Sequence, residues 1–92
     1  MRKGYGYLGS NAVKTSTSNQ EIIPSPPVGW STDYHLYKFQ FINYSDTNVI
    51  INGKTNLFLK ANQGFETDIN DANIYSFVIT EADVDYQWVG AY

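Results

Sequence analysis

The chain has 92 residues and no cysteine, carries a formal net charge of −3, and contains eight Tyr, five Phe and two Trp. This length allows one domain with one modest core, and the missing thiols exclude disulfides, thiolate metal sites and cysteine nucleophiles. The small negative charge favours neither nucleic acid nor an anionic membrane as a partner. The many aromatic rings are typical of pleated, half-buried surfaces and of interfaces.

Residues 1–33 are rich in Gly, Ser, Thr, Asn and Pro and include the stiff stretch Pro24-Ser25-Pro26-Pro27. Because such a segment buries too little apolar surface to fold alone, we predict an extended N-terminal arm, distinct from a domain over residues 34–92. Two interpretations stay open, a tail that frays and packs only at its end, and an arm that orders on a neighbouring subunit. The predicted interface residues are the spaced apolar anchors Tyr5, Tyr7, Leu8, Ile22, Ile23 and Trp30.

Targeting signals are not predicted. Met1-Arg2-Lys3 is followed by Gly and Tyr residues where a signal peptide needs an apolar run, and no stretch approaches the roughly 20 apolar residues of a membrane span. We therefore expect synthesis in a cytoplasm and no membrane partner.

The strand pattern begins at Tyr34. Rings alternate with polar side chains over residues 37–41, which predicts the first strand within residues 34–42. Asn52-Gly53 then stands between two apolar runs, the strongest short-range signal for a β-hairpin, with Gly53 expected at positive φ. Because both hairpin arms are apolar at successive positions, we expect a second sheet to cover one face and a subunit or the arm to cover the other.

Three further strands are predicted after the hairpin, a short one around Phe65, one over residues 74–80 and one over residues 85–92. Six strands at intervals of roughly 8–12 residues indicate an all-β fold, a small antiparallel β-sandwich or barrel. The predicted core residues are Phe39, Phe41, Val49, Ile51, Leu57, Leu59, Phe65, Tyr75, Phe77, Ile79, Tyr86 and Trp88.

Residues with catalytic chemistry are sparse. His35 is the only histidine and belongs to no recognisable nucleophile–base arrangement, so we predict no enzyme and no catalytic residues. The glycine pattern over residues 4–9 follows no strand and opens no helix, so no nucleotide cofactor is expected. Acidic side chains could gather around a calcium ion, but the EF-hand pattern fails at Ala72, and we predict neither metal nor cofactor. The acidic residues considered are Glu66, Asp68, Glu81, Asp83 and Asp85.

Four stretches resemble the small all-β accessory proteins of tailed bacteriophage virions, of the decoration, neck or tail-adaptor type. They are residues 48–53, 61–66, 74–79 and 86–90, so that the resemblance covers about residues 36–92. It implies a non-enzymatic structural protein that is made in the host cytoplasm and incorporated into the virion. Its implied partners are other virion proteins and copies of itself, with the arm reaching neighbours.

A carbohydrate-binding or receptor-binding β-module is the alternative. Aromatic rings stack well on sugars and could form a platform, whereas single-stranded nucleic acid would also need a basic groove. The rings considered for this platform are Trp30, Tyr34, Trp88 and Tyr92.

Overall fold

The computed structural model describes residues 6–26, 28–29, 34–68 and 70–92, which form an all-β sandwich of two antiparallel sheets. This confirms the predicted fold class. The strands within the described residues are β1 (Tyr7–Gly9), β2 (Lys14–Thr15), β3 (Gln20–Glu21), β4 (Lys38–Asn43), β5 (Thr47–Ile51), β6 (Thr55–Leu59), β7 (Phe65–Thr67), β8 (Phe77–Ile79) and β9 (Asp85–Ala91). The five-stranded sheet has the order β1-β9-β4-β7, with β2 also on β9, and the four-stranded sheet has the order β3-β8-β5-β6.

The predicted hairpin is formed by β5 and β6. Asn52 and Gly53 have φ angles of 54° and 67°, as a type I′ turn requires, and Lys54 donates its backbone N–H to the carbonyl oxygen of Ile51 at 3.0 Å. Apart from Gly53 and its two chain neighbours, no heavy atom of the described residues lies within 4 Å of the position that a Cβ on Gly53 would take, so the demand for glycine there is conformational.

An aromatic cluster joins the sheets at the centre of the sandwich. The ring of Phe77 on β8 lies 4.9 Å from Phe39 and 4.7 Å from Phe41, both on β4 of the other sheet. Of the twelve predicted core residues, eight are buried and three, Leu57, Phe65 and Trp88, are partly buried against the core. The core residues that the sequence analysis missed are Ile22, Ile23, Tyr34, Leu36, Ile74, Val84 and Ala91.

The prediction for Tyr75 is wrong, because its side chain is 40% exposed. The predicted strand over residues 74–80 is regular only from Phe77, and the side chain of Asn52 interrupts it. Oδ1 of Asn52 accepts hydrogen bonds from the backbone N–H groups of Tyr75 and Ser76, at 2.9 and 3.2 Å. The chain bends there, so the alternation of faces is broken and Ile74 turns inward instead, where its backbone pairs with Leu36.

The described part of the predicted arm belongs to the sandwich. β1 and β2 pair with β9, and β3 pairs with β8, so residues 6–26 supply an edge to each sheet. Ile22 and Ile23 are each 7% exposed and lie in this chain's own core, which corrects their assignment to an interface with another chain. The segment still needs residues 34–92 to fold, since its short strands find their hydrogen-bond partners only there.

Ser16 marks the place where this segment crosses from one sheet to the other. It is 3% exposed, and its hydroxyl donates to the carbonyl oxygen of Glu81 and accepts the N–H of Val84. Its own backbone N–H donates to the Val84 carbonyl at 2.8 Å, and its carbonyl accepts the N–H of Asp83 at 2.8 Å. These bonds fix the crossing against the loop before β9.

Candidate interaction surface

The outer face of the four-stranded sheet carries three apolar side chains, Ile50, Phe58 and Val78, which we call the outer patch. Ile50 and Val78 stand directly opposite each other on β5 and β8, and Phe58 lies diagonally from Ile50 on β6. Phe58 is 56% exposed, and the other two are half-buried. No part of the predicted arm that the structure describes covers Phe58, so the second apolar face of the hairpin stays open to solvent on that side.

The hydrogen-bond pattern of β5 determines which groups of β6 point outward. Asn52 donates its N–H to Ser76, and Asn48 accepts from Thr80, so the even-numbered residues of β5 bond to β8. Neighbouring residues of a strand bond in opposite directions, and the odd-numbered residues of β5 therefore bond to β6.

The register pairs these odd-numbered β5 residues with Thr55, Leu57 and Leu59. The backbone N–H and C=O groups of Asn56 and Phe58 consequently point away from β5. No described strand lies beyond β6, because it ends the order of its sheet. We call this side of the strand the β6 edge.

The end of the β6 edge is capped by side chains. Lys60 donates its backbone N–H to Oε1 of Gln63 at 2.9 Å, and its carbonyl oxygen accepts from Nδ2 of Asn43 at 2.8 Å. Asn43 is fully buried and also donates to the carbonyl of Leu59 at 3.2 Å. Among the described residues, the ladder groups left without a partner on the β6 edge are therefore those of Asn56 and Phe58.

Glu81 holds β5 against β8 at one border of the outer patch. Its carboxylate accepts the hydroxyls of Thr47 and Thr80, each at 2.7 Å, and the backbone N–H and side-chain amide of Asn48 at 2.8 and 3.2 Å. Partial desolvation acts to raise the pKa of Glu81, but the hydrogen bonds from Thr80, Thr47 and Asn48 prevail and lower it from 4.5 to about 2. The group is thus an ionised structural clamp at neutral pH.

A second surface lies on the outer face of the five-stranded sheet. Tyr7 is 81% exposed beside a depression of about 460 Å³, whose other lining residues include Lys38, Gln40, Glu66 and Val89. This arrangement combines one free ring with charged and amide side chains, the types that bind sugar hydroxyls.

An open cleft of about 710 Å³ lies at the end of the sandwich near the hairpin turn, lined among others by His35, Phe65 and Tyr75. The ring of His35 lies 5.6 Å from that of Tyr75. Thr67 also lines the cleft, and its buried Oγ1 has no hydrogen-bond partner among the residues that the structure describes. The cleft brings no nucleophile–base pair together among the described residues.

The three described rings of the predicted sugar platform do not form a flat surface together. Trp88 faces the core, 6.0 Å from the ring of Phe39, and Tyr34 is 7% exposed and packs edge-on to Tyr92 at 4.8 Å. Trp30 lies outside the described residues. A flat aromatic surface is therefore absent at the described members of this group, because these rings supply core packing instead.

The described members of the predicted interface lie in different environments. Tyr7 is exposed, Leu8 packs partly against the core, and Tyr5 and Trp30 lie outside the described residues. The acidic residues are dispersed too, since no three His, Asp or Glu side chains within the described ranges could hold a metal ion together. Asp85, for example, accepts the hydroxyl of Thr15 at 2.7 Å.

No family model matches the chain, and neither does any curated protein or solved structure that was compared with it. The described residues contain no helix that is long and apolar enough to cross a membrane.

Proposed function

We propose that the chain is a non-enzymatic structural protein of a bacteriophage virion, which stabilises or decorates the particle through the surface of its β-sandwich. The observation that carries the proposal is the outer patch beside the open β6 edge. Exposed aromatic and aliphatic side chains next to unpaired strand groups favour association, and natural folds usually protect such an edge. The virion as the place of assembly comes from the resemblance of residues 36–92.

The contact differs from the one expected from the sequence. Ile22 and Ile23 are committed to this chain's own core, so a neighbour cannot bind them without opening the sandwich. Phe58 is available in the folded chain, and aromatic side chains are among those that contribute most to interfaces. The proposed contact is therefore a preformed surface, and no folding of an arm is needed.

The test is incorporation into particles. Cells that produce the chain and release phage particles would be given either the natural gene or a Phe58→Ser variant, and the particles would be purified by density gradient and their proteins identified by mass spectrometry. We expect many copies of the natural chain per particle and a large loss with Phe58→Ser. Recovery of the natural chain only in the soluble fraction would refute the proposal.

A carbohydrate-binding module is the second candidate, and the observation in its favour is Tyr7 beside Lys38, Gln40 and Glu66. Tyr7→Ser is the matched variant, because it too replaces an exposed ring on an outer face. If the chain binds sugar, Tyr7→Ser abolishes retention on polysaccharide and Phe58→Ser does not. The virion proposal predicts the opposite order for incorporation into particles.

A further inference from the structure

We infer that the β6 edge binds the β6 edge of a second copy of this chain in antiparallel orientation, centred on Leu57, so that the four-stranded sheets of two copies become continuous. The inference rests on the proposed function and names the partner in one of its contacts.

The backbone groups select the register. Pairing centred on Leu57 sets Asn56 opposite Phe58 of the second copy and Phe58 opposite Asn56 of the second copy. Each of these two pairs exchanges two N–H to C=O hydrogen bonds. All four bonds use groups that already point away from β5. Pairing centred on Phe58 would instead require Lys60, whose N–H and C=O are engaged by Gln63 and Asn43.

The side chains of β6 complement themselves in this register. On the inner face the half-buried Leu57 stands across from Leu57 of the second copy in a non-hydrogen-bonded pair, where side chains approach most closely. On the outer face the two Phe58 rings lie diagonally across the new junction, at a spacing that aromatic side chains can bridge. A two-fold axis relates the copies, so one apolar strand supplies both sides of the contact.

Charge limits the strength of this contact. β6 itself carries no charged residue, but Lys54 precedes it and Lys60 follows it. Centring on Leu57 sets Lys54 opposite Lys60 of the second copy, twice per dimer, and like charges directly opposite are unfavourable. A five-residue edge also buries less than the roughly 1,200 Å² of a standard interface. The dimer is therefore weak, and repetition in an assembly strengthens it.

The experiment measures the dissociation constant of the purified full chain by sedimentation up to about 1 mM. Lys60→Glu converts both repulsive pairs into attractive ones, and we expect the dissociation constant to fall roughly 5- to 30-fold. The double variant Lys54→Glu/Lys60→Glu again sets like charges opposite each other, so its dissociation constant should rise back towards that of the natural chain. The matched control is Lys38→Glu, the same charge change on the outer face of the other sheet, which leaves the constant unchanged. Added salt tightens the natural dimer, because it screens the lysine pairs.

A backbone variant tests the hydrogen bonds. Asn56→Pro removes an N–H that bonds nothing on β5, which an edge strand tolerates, and weakens the dimer roughly tenfold or more. Circular dichroism checks that the variant remains folded. Equal dissociation constants for Lys60→Glu and Lys38→Glu, or a chain that stays monomeric in every variant, would overturn the inference. If these variants leave the dissociation constant unchanged while the natural chain is still incorporated into particles, the pairing of two β6 edges is refuted and the proposed function stands.

Discussion

Removing the charge of Glu81 is expected to destabilise the sandwich in a pH-dependent way. A pKa lowered from 4.5 to about 2 corresponds to about 3.5 kcal/mol at roughly 1.4 kcal/mol per pKa unit. Solvent reaches this carboxylate and screens its interactions, so we expect Glu81→Gln to lower the free energy of unfolding by about 1–2 kcal/mol at pH 7. The glutamine keeps one oxygen that accepts hydrogen bonds, but its NH₂ group replaces the other oxygen and faces groups that also donate.

The sign of the pH dependence follows from the lowered pKa. Because the folded state favours the ionised carboxylate, its stabilisation is complete above about pH 4.5 and is lost as the pH falls towards 2. Urea unfolding followed by tryptophan fluorescence would therefore show a difference between the natural chain and Glu81→Gln at pH 7 that nearly vanishes at pH 2. The control is Glu66→Gln on the exposed face of β7. A difference that is equal at both pH values would show that the carboxylate's charge has no part in the clamp.

Three further substitutions test the packing and the turn by chemical denaturation. Phe77→Ala removes the ring that contacts Phe39 and Phe41 and should lower the free energy of unfolding by about 3–5 kcal/mol, which an unchanged denaturation midpoint would contradict. Ile23→Ala should lower it by about 2–4 kcal/mol, whereas a loosely attached tail would show almost no change. Gly53→Val forces a β-branched residue to positive φ and should lower it by about 1–3 kcal/mol, with equal stability contradicting the type I′ turn.

Local signals predicted the middle of the fold. The Asn52-Gly53 turn and the alternation over residues 37–41 depend on neighbours in the chain, so periodicity and turn chemistry were enough to find β4, β5 and β6. Tyr75 failed because a hydrogen-bond acceptor 23 residues away, Oδ1 of Asn52, sets the bend that reverses the faces. Periodicity cannot report an interaction over that distance.

The N-terminal strands could not be predicted from their own composition. β1 to β3 have two or three residues each, and their partners on β8 and β9 lie about 60 to 80 residues further along the chain. The adjacent pair Ile22-Ile23 was the one local sign that this segment enters a core. Polarity suggested an arm because the described segment consists of short exposed edge strands joined by polar turns, and such strands need backbone partners more than apolar side chains.

The sequence predicted that the β5–β6 hairpin has two apolar faces, but the open β6 edge is visible only in the structure. Apolar residues at successive positions of a hairpin need cover on both faces of the strands. The core of the sandwich covers one face, where Val49, Ile51 and Leu59 are buried. Ile50 and Phe58 on the other face are left without an equivalent cover among the described residues. Phe58 combines this exposure with open backbone groups. The even-numbered residues of β6 point their side chains away from the core and their backbone N–H and C=O groups away from β5. A partner that adds a strand to β6 would satisfy both at once, whereas a partner that covers only the outer face would leave the backbone groups to water.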